Sequence, residues 1–241
     1  MVIGGTSGIG LALARHYAGQ GAQVAICGRD LGRVDPDILA RHPGLRLYQF
    51  DIADKAAVGA AIDDFACGAL DTLVVTAGFY ADAATLERDP AAGTRMLHTN
   101  VGGLNNAFEA AARGMMARKS GHLVAVASIA GLLRDYPGAS LYSANKRLVI
   151  ALCALYRKTL APFSVAVTVI VPGYVDTARL RELNNCSAAN KPYLLSEQQA
   201  LVHMVKAIDG RVARSVFPWQ LHWMVMAFNC LPLLLRRLRD K

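Results

Sequence analysis

The chain has 241 residues, of which 54% are hydrophobic, 18% charged and 7% aromatic. That is the make-up of one globular domain, 1–241, with room for a sizeable core; it excludes disorder, a collagen-like repeat and a small disulfide-stapled scaffold. The net charge of +8 is uneven, because Arg211, Arg214, Arg236, Arg237, Arg239 and Lys241 against Asp240 put +5 of it into the last 31 residues. With no basic stripe through the body of the chain, nucleic acid is not expected as a partner, and a surface-seeking tail is. Five scattered cysteines (Cys27, Cys67, Cys153, Cys186 and Cys230) offer no metal-ligand spacing and point to a reducing compartment without structural disulfides. The N-terminus carries no basic region ahead of an apolar run, so no secretory leader is expected.

In chain order, short β-branched runs predict strands at 1–3, 23–27, 46–50, 72–76, 122–127, 166–171 and 214–217. Amphipathic segments at 9–18, 56–65, 100–116 and 143–160 predict helices between them. Several strands are apolar without alternation, as when helices cover both faces of a parallel sheet. The expected fold is therefore α/β: a doubly wound (Rossmann) parallel sheet of about seven strands. Ligands of such sheets bind at the carboxyl ends of the strands. The first strand is short, so the chain either begins inside it or has its natural start upstream.

The first strand runs into Gly4-Gly5-Thr6-Ser7-Gly8-Ile9-Gly10 and then a helical pattern. Gly4, Gly8 and Gly10 permit a tight turn and a close approach of backbone to a pyrophosphate. The helix N-terminus adds unpaired N–H groups and a positive dipole end, and Thr6 and Ser7 add hydroxyls. The turn predicts a dinucleotide without saying which reaction. The second strand ends Cys27-Gly28-Arg29, with no carboxylate for a ribose 2′-OH and with a cation suited to a 2′-phosphate. NADP(H) is favoured, with Arg33 as a second cation; Asp30 keeps NAD(H) as the alternative.

Tyr142-Ser143-Ala144-Asn145-Lys146 opens a helix, so Tyr142 and Lys146 share a face. A nearby ammonium favours the phenolate and is expected to lower the tyrosine pKa, making Tyr142 a candidate general acid/base. Fourteen residues upstream, Ser128 ends a predicted strand at the sheet's carboxyl edge. His98, His122 and His203 have no partners at metal spacing; they read as structural, and no metal is expected.

Taken together, these elements resemble the short-chain dehydrogenase/reductase family, to about Phe217. The glycine turn, Asp51, Ala77-Gly78, Asn100, Ser128, Tyr142 with Lys146, and Pro172-Gly173 with Thr177 arrive in the family's order. The resemblance implies that Tyr142 passes a proton to or from the substrate oxygen. It implies that Lys146 holds the nicotinamide ribose, that Ser128 hydrogen-bonds the substrate oxygen, and that Asn100 holds a relay water. Asp51 and Ile52 would lie at the adenine, Ala77 and Gly78 at the adenosine ribose, and Val175 and Thr177 at the carboxamide. Hydride would come from the cofactor. The implied activity is NADPH-preferring carbonyl reduction or alcohol oxidation. The alternatives are an NADP-binding scaffold without turnover, or dehydration or epimerisation. A homodimer or homotetramer in the cytoplasm is implied as well.

Three departures from the family pattern stand out. Ile3 replaces a frequent Thr, and Val75-Thr76-Ala77-Gly78 lacks two amides, one of which Thr76 could replace. The stretch from Ser128 to Tyr142 is one residue longer than usual, which predicts an insertion between Gly131 and Leu141. Phe79, Tyr80, Leu132, Tyr136, Tyr174, Leu180 and Leu183 are candidates to line an apolar pocket for a lipophilic carbonyl compound or alcohol, with 177–194 as a flap. Within the 218–241 extension, Ser215 to Leu235 carries no charge but is interrupted by Pro218, Gln220, His222, Asn229 and Pro232. A membrane span, an interfacial helix with Trp219 and Trp223 at a lipid surface, and a cover or subunit interface are the readings open for it.

Overall fold

The computed structural model describes residues 1–67, 69–134, 140–184 and 187–230. Its strands are β1 (Val2–Ile3), β2 (Ala25–Gly28), β3 (Arg46–Gln49), β4 (Thr72–Val75), β5 (Gly121–Val126), β6 (Val165–Pro172), β7 (Val175–Asp176), β8 (Leu195–Ser196) and β9 (Arg214–Phe217). All but β7 and β8 form one parallel sheet in the order β3-β2-β1-β4-β5-β6-β9. The seven strands expected from the sequence are present, their ends moved by at most two residues. The β7–β8 pair was not foreseen, since two residues are too few to show a period.

The helices are α1 (Gly8–Gly19), α2 (Pro36–Arg41), α3 (Lys55–Ala66), α4 (Ala83–Arg88), α5 (Ala91–Leu97), α6 (Gly103–Arg118), α7 (Leu141–Leu160), α8 (Ala178–Glu182), α9 (Glu197–Asp209) and α10 (Trp219–Cys230). Successive strand residues point to opposite faces, and this divides the core in two. Ile3, Leu73, Val75, Leu123, Ala125, Val167 and Val169 pack with Val58, Leu104, Phe108, Val149 and Cys153 of α3, α6 and α7. The residues between them (Val2, Val74, Val124 and Ile170) pack on the other face with Leu13 of α1 and Ala200, Met204 and Ile208 of α9. From β1 the chain steps outward to β3, then returns to β4 on the other side. The crevice at the carboxyl ends of β1 and β4 is the switch point where such sheets take ligands.

One buried polar pair ties the far end of the sheet. The Thr168 hydroxyl donates to the Val212 carbonyl at 2.7 Å, so its oxygen must accept from His122 Nε2 at 2.8 Å, which fixes the neutral tautomer. Burial holds the His122 pKa down at about 4, against an ordinary 6.5. Between these values the unfolded chain takes up a proton that the folded protein excludes. This contribution to stability is therefore complete above about pH 6.5 and is lost as pH falls toward 4, by on the order of 2–3 kcal/mol. Urea unfolding at pH 7 and pH 4.5 should show a smaller acid loss for His122→Leu than for the wild type. An equal loss in both would place the linkage elsewhere.

Candidate active site

The glycine turn is shaped by close backbone approaches. Gly4 has φ +89°, and a Cβ there would stand 2.4 Å from the Ala77 nitrogen; one on Gly10 would stand 2.4 Å from the Gly4 carbonyl oxygen. These contacts bring the start of α1 down onto β1 and the end of β4. Thr76 secures the junction, its hydroxyl donating to the Gly4 carbonyl at 2.9 Å with the Ile3 carbonyl at 3.2 Å. The hydroxyl thus supplies a tie that an amide was expected to make. Ser7 is the N-cap of α1 but makes no side-chain cap, so the first-turn N–H groups of Gly8, Ile9 and Gly10 face outward with the positive end of the helix. This donor set fits a pyrophosphate. Thr6 is buried, its methyl packed where a Cβ on Gly28 would come within 2.7 Å.

Arg29 follows β2, exposed, with Nη1 3.9 Å from Asp51 Oδ2. Asp51 also accepts from the Ala53 N–H at 2.9 Å, whereas Ile52 turns inward and packs against Gly103. Across the crevice, Pro172 ends β6, Gly173 donates to the Phe217 carbonyl at 2.7 Å, and Val175 is buried. Thr177 caps α8 by accepting from the Leu180 N–H at 3.1 Å. Its methyl lies 3.7 Å from where a Cβ on Gly8 would stand, so the flap crosses the glycine turn.

On the β4–β5 side, a turn of π-helix at His98–Gly102 precedes α6 and buries Asn100, where a continuous helix from 100 was expected. The Asn100 amide is engaged by the backbone of Phe79, accepting its N–H at 2.7 Å and donating to its carbonyl at 2.9 Å. One donor and one acceptor position of that amide stay open. A Cβ on Gly78 would meet Asn100 Oδ1 at 3.4 Å and Lys146 Nζ at 3.6 Å, so the missing side chain brings the two together.

The start of α7 is fixed by a capping box in which Ser140 Oγ accepts the Ser143 N–H at 3.1 Å and Ser143 Oγ accepts the Ser140 N–H at 2.6 Å. Tyr142 falls in the first turn, with Lys146 one turn on. Lys146 Nζ donates to the Val126 carbonyl at 3.1 Å and lies 5.8 Å from the centre of the Tyr142 ring. The expected lowering of the phenol pKa is not found. Burial pushes Tyr142 up to about 12, only partly offset by its hydrogen bond with Ser128. It is Lys146 that moves down, to about 8, by burial. Ser128 Oγ accepts the Ala130 N–H at 3.2 Å, which leaves its own proton to donate toward Tyr142.

Of the pocket candidates, Tyr80 meets the Tyr142 ring edge-on at 4.9 Å. Phe79 packs on Ala81, Ala92 and Met96, the cluster against which Tyr142 also packs. Tyr174 packs with Ile129, Leu221 and Val225, and Lys191 Nζ lies 5.5 Å from the centre of its ring. Leu180 is half-buried in α8, while Leu183 and Lys191 line a flap cavity of about 510 Å³. Tyr136, and most of the predicted insertion, lie outside the described residues. Two features had no sequence signal: the Val126 carbonyl, which belongs to the backbone, and the buried Asn145 Oδ1, which has no partner while its amide donates to the Leu141 carbonyl at 2.9 Å. Asn229 was read as an interruption of an apolar run, yet it bonds the loop after Ser128. A lone amide in such a run was the available clue.

The short chain dehydrogenase family model matches residues 1–187. Dehydrogenase/reductase SDR family member 7B of Bos taurus is 33% identical over 188 residues, 73% of this chain; the chain spans only 58% of the length of that relative. The 3-oxoacyl-[acyl-carrier-protein] reductase FabG of Chlamydia trachomatis is 30% identical over 192 residues, 77% of each chain. A solved short-chain dehydrogenase from Sphingobium yanoikuyae in complex with NADPH has a TM-score of 0.81 at 20% identity, over 94% of this chain and 91% of that one, a likeness of fold. The glycine turn, Ser128, Tyr142 and Lys146 all fall within the matched residues, and the chain belongs to the short chain dehydrogenase family.

Proposed function

We propose that the protein is an NADP(H)-preferring oxidoreductase that interconverts an apolar ketone or aldehyde and its alcohol, with Tyr142 as general acid/base. The observation that carries this is the meeting of Ser128, Tyr142 and Lys146 at the carboxyl edge of the sheet beside the glycine turn. A phenol held near 12 stays protonated at neutral pH, which suits the donor role toward a carbonyl oxygen. With a carbonyl substrate bound, the Ser128 O–H would turn from Tyr142 to that oxygen, so the negative charge developing there would meet two O–H donors. The bound nucleotide would supply hydride. Gly8, Ile9 and Gly10 would hold its pyrophosphate beneath Thr177, and Lys146, Gly78 and Asn100 border the side of the crevice nearer Tyr142.

Two observations favour the 2′-phosphate form of the cofactor. A carboxylate at Gly28 is excluded by Thr6, and the exposed Arg29–Asp51 pair is too weak to hold Arg29 away from a phosphate. The NADPH of the Sphingobium neighbour supports the same reading, with NAD(H) as the alternative. The relative named for reducing a 3-oxoacyl group supports a ketone, and Tyr80, Tyr142 and Tyr174 give the approach an apolar lining. A homodimer or homotetramer suits α7, where Leu141, Ala144, Leu148, Ala151 and Leu155 form an exposed apolar stripe at heptad spacing. Buried free thiols at Cys27 and Cys153 suit a reducing cytoplasm.

NADPH oxidation across carbonyl compounds graded by chain length is the direct test, and no turnover with either nicotinamide cofactor would sink the reading. Tyr142→Phe should lower kcat by about 10²–10⁴-fold while nucleotide binding persists. Arg29→Ala should raise KM for NADPH by about tenfold and leave that for NADH nearly unchanged, since only the former has a phosphate to lose. The free enzyme loses the Lys146 charge as pH rises through about 8, so kcat/KM for NADPH should fall above that pH. In Lys146→Arg the guanidinium stays charged, and that alkaline limb should vanish even where activity is reduced.

A further inference from the structure

We propose that the outer face of α10 docks onto an anionic lipid surface. The inner face of this helix packs on the fold: Leu221 and Val225 are buried against Ile129, and Leu221 lies 2.7 Å from where a Cβ on Gly173 would stand. Asn229 pins the last turn, donating to the Leu132 carbonyl at 2.7 Å and accepting the Arg134 N–H at 3.2 Å. The helix is thereby fixed, and what it turns outward is Trp219, Trp223, Met224, Ala227 and Cys230, all exposed. Positions 219, 223, 227 and 230 lie on one helical face, and α10 contains no Asp, Glu, Lys or Arg. Both tryptophans of the chain stand here, 67% and 65% exposed.

An indole combines an apolar body with one N–H donor and settles where acyl chains meet water. Charge selects the occupant. At the Asn229 end of the helix lie exposed Arg134 and Arg147, the latter donating to the Leu133 and Arg134 carbonyls. The sequence beyond α10 continues with leucines and then Arg236, Arg237 and Arg239. Exposed arginines at one end of a charge-free, tryptophan-bearing face match anionic headgroups above acyl chains. Among the described residues no helix is long and apolar enough to cross a membrane. Twelve residues of helix reach about 18 Å against a hydrocarbon thickness of about 30 Å, so α10 lies along the surface. Its inner face borders Ile129 and Tyr174, beside Ser128. The delivery of an apolar substrate from lipid to that mouth rests on the function proposed above, but the docking does not.

The test uses the full chain without nucleotide or substrate, mixed with phosphatidylcholine–phosphatidylglycerol vesicles or with phosphatidylcholine alone. The protein should pellet with the mixed vesicles, less with neutral ones, and less again as salt rises. Trp219→Gln with Trp223→Gln should weaken pelleting by about tenfold or more, while the thermal midpoint and the vesicle-free turnover stay unchanged. Should that variant fail to fold, the wild type suffices. The chain has only these two tryptophans, so its emission reads this face alone and should shift to the blue and be quenched by brominated lipid. Absent pelleting, unquenched emission or an undiminished double variant each overturns the proposal. So does a double variant that loses its oligomeric state, which would make a second copy the occupant. Lost turnover with vesicle binding intact would count against the proposed reaction and leave the docking standing.

Discussion

An ammonium is buried at the edge of the sheet with no carboxylate beside it among the described residues, and the surrounding structure is arranged to hold it there. Lys146 is 6% exposed; its fixed partners are a backbone carbonyl and the face of an aromatic ring. Isolated burial of a cation is costly, and the fall of its pKa to about 8 expresses that cost. The position is nevertheless unavoidable, because α7 is fixed at both ends of its first turns. The Ser140–Ser143 box sets where the helix starts, and a Cβ on Gly131 would stand 2.8–3.0 Å from backbone atoms of Lys146 and Arg147. With the backbone so held, the lysine stem has one direction to take, along Tyr142 toward Val126 and Gly78.

The crevice itself is a set of backbone approaches that a single side chain would fill. Gly4 lies against Ala77, Gly10 against Gly4, and Gly78 between Asn100 and Lys146. The first two draw β1, α1 and β4 into a rigid corner. The third keeps an opening beside the ammonium. Because the same corner positions the α1 N-terminus, the donors that suit a pyrophosphate and the groups that suit proton transfer are set by one piece of covalent geometry.

The strands and the glycine turn were legible because their signals are local. β-branched runs of three to six residues and a strand–glycine–helix sequence need no tertiary information. The pairing of Tyr142 with Lys146 was legible for the same reason, as a helical spacing. What the spacing could not give was the direction of the lysine. The ammonium was expected to lower the phenol pKa, whereas burial raises it, and Nζ reaches the Val126 carbonyl. The surroundings of Phe79 had no local signal either: its backbone is held by Asn100, and its ring and that of Tyr142 pack on the same cluster of Ala81, Ala92 and Met96. The π turn at His98–Gly102 had no periodicity to announce it. The β7–β8 pair was hidden by its length.

The residues matched by the family model stop at 187, yet the loop after Ser128 is not positioned by them alone. Ile129 packs on Leu221 and Val225, Leu132 and Arg134 are bonded by Asn229, and Gly173 leaves room for Leu221. A hydrogen bond from Asn229 to Leu132 spans 97 positions of sequence to reach a turn that begins at Ser128. Changes in α10 can therefore move the walls beside the reacting group without touching Tyr142, Lys146 or the glycine turn. The residues matched by the family model and α10 thus meet at a single loop, so the second can vary while the first stay in place.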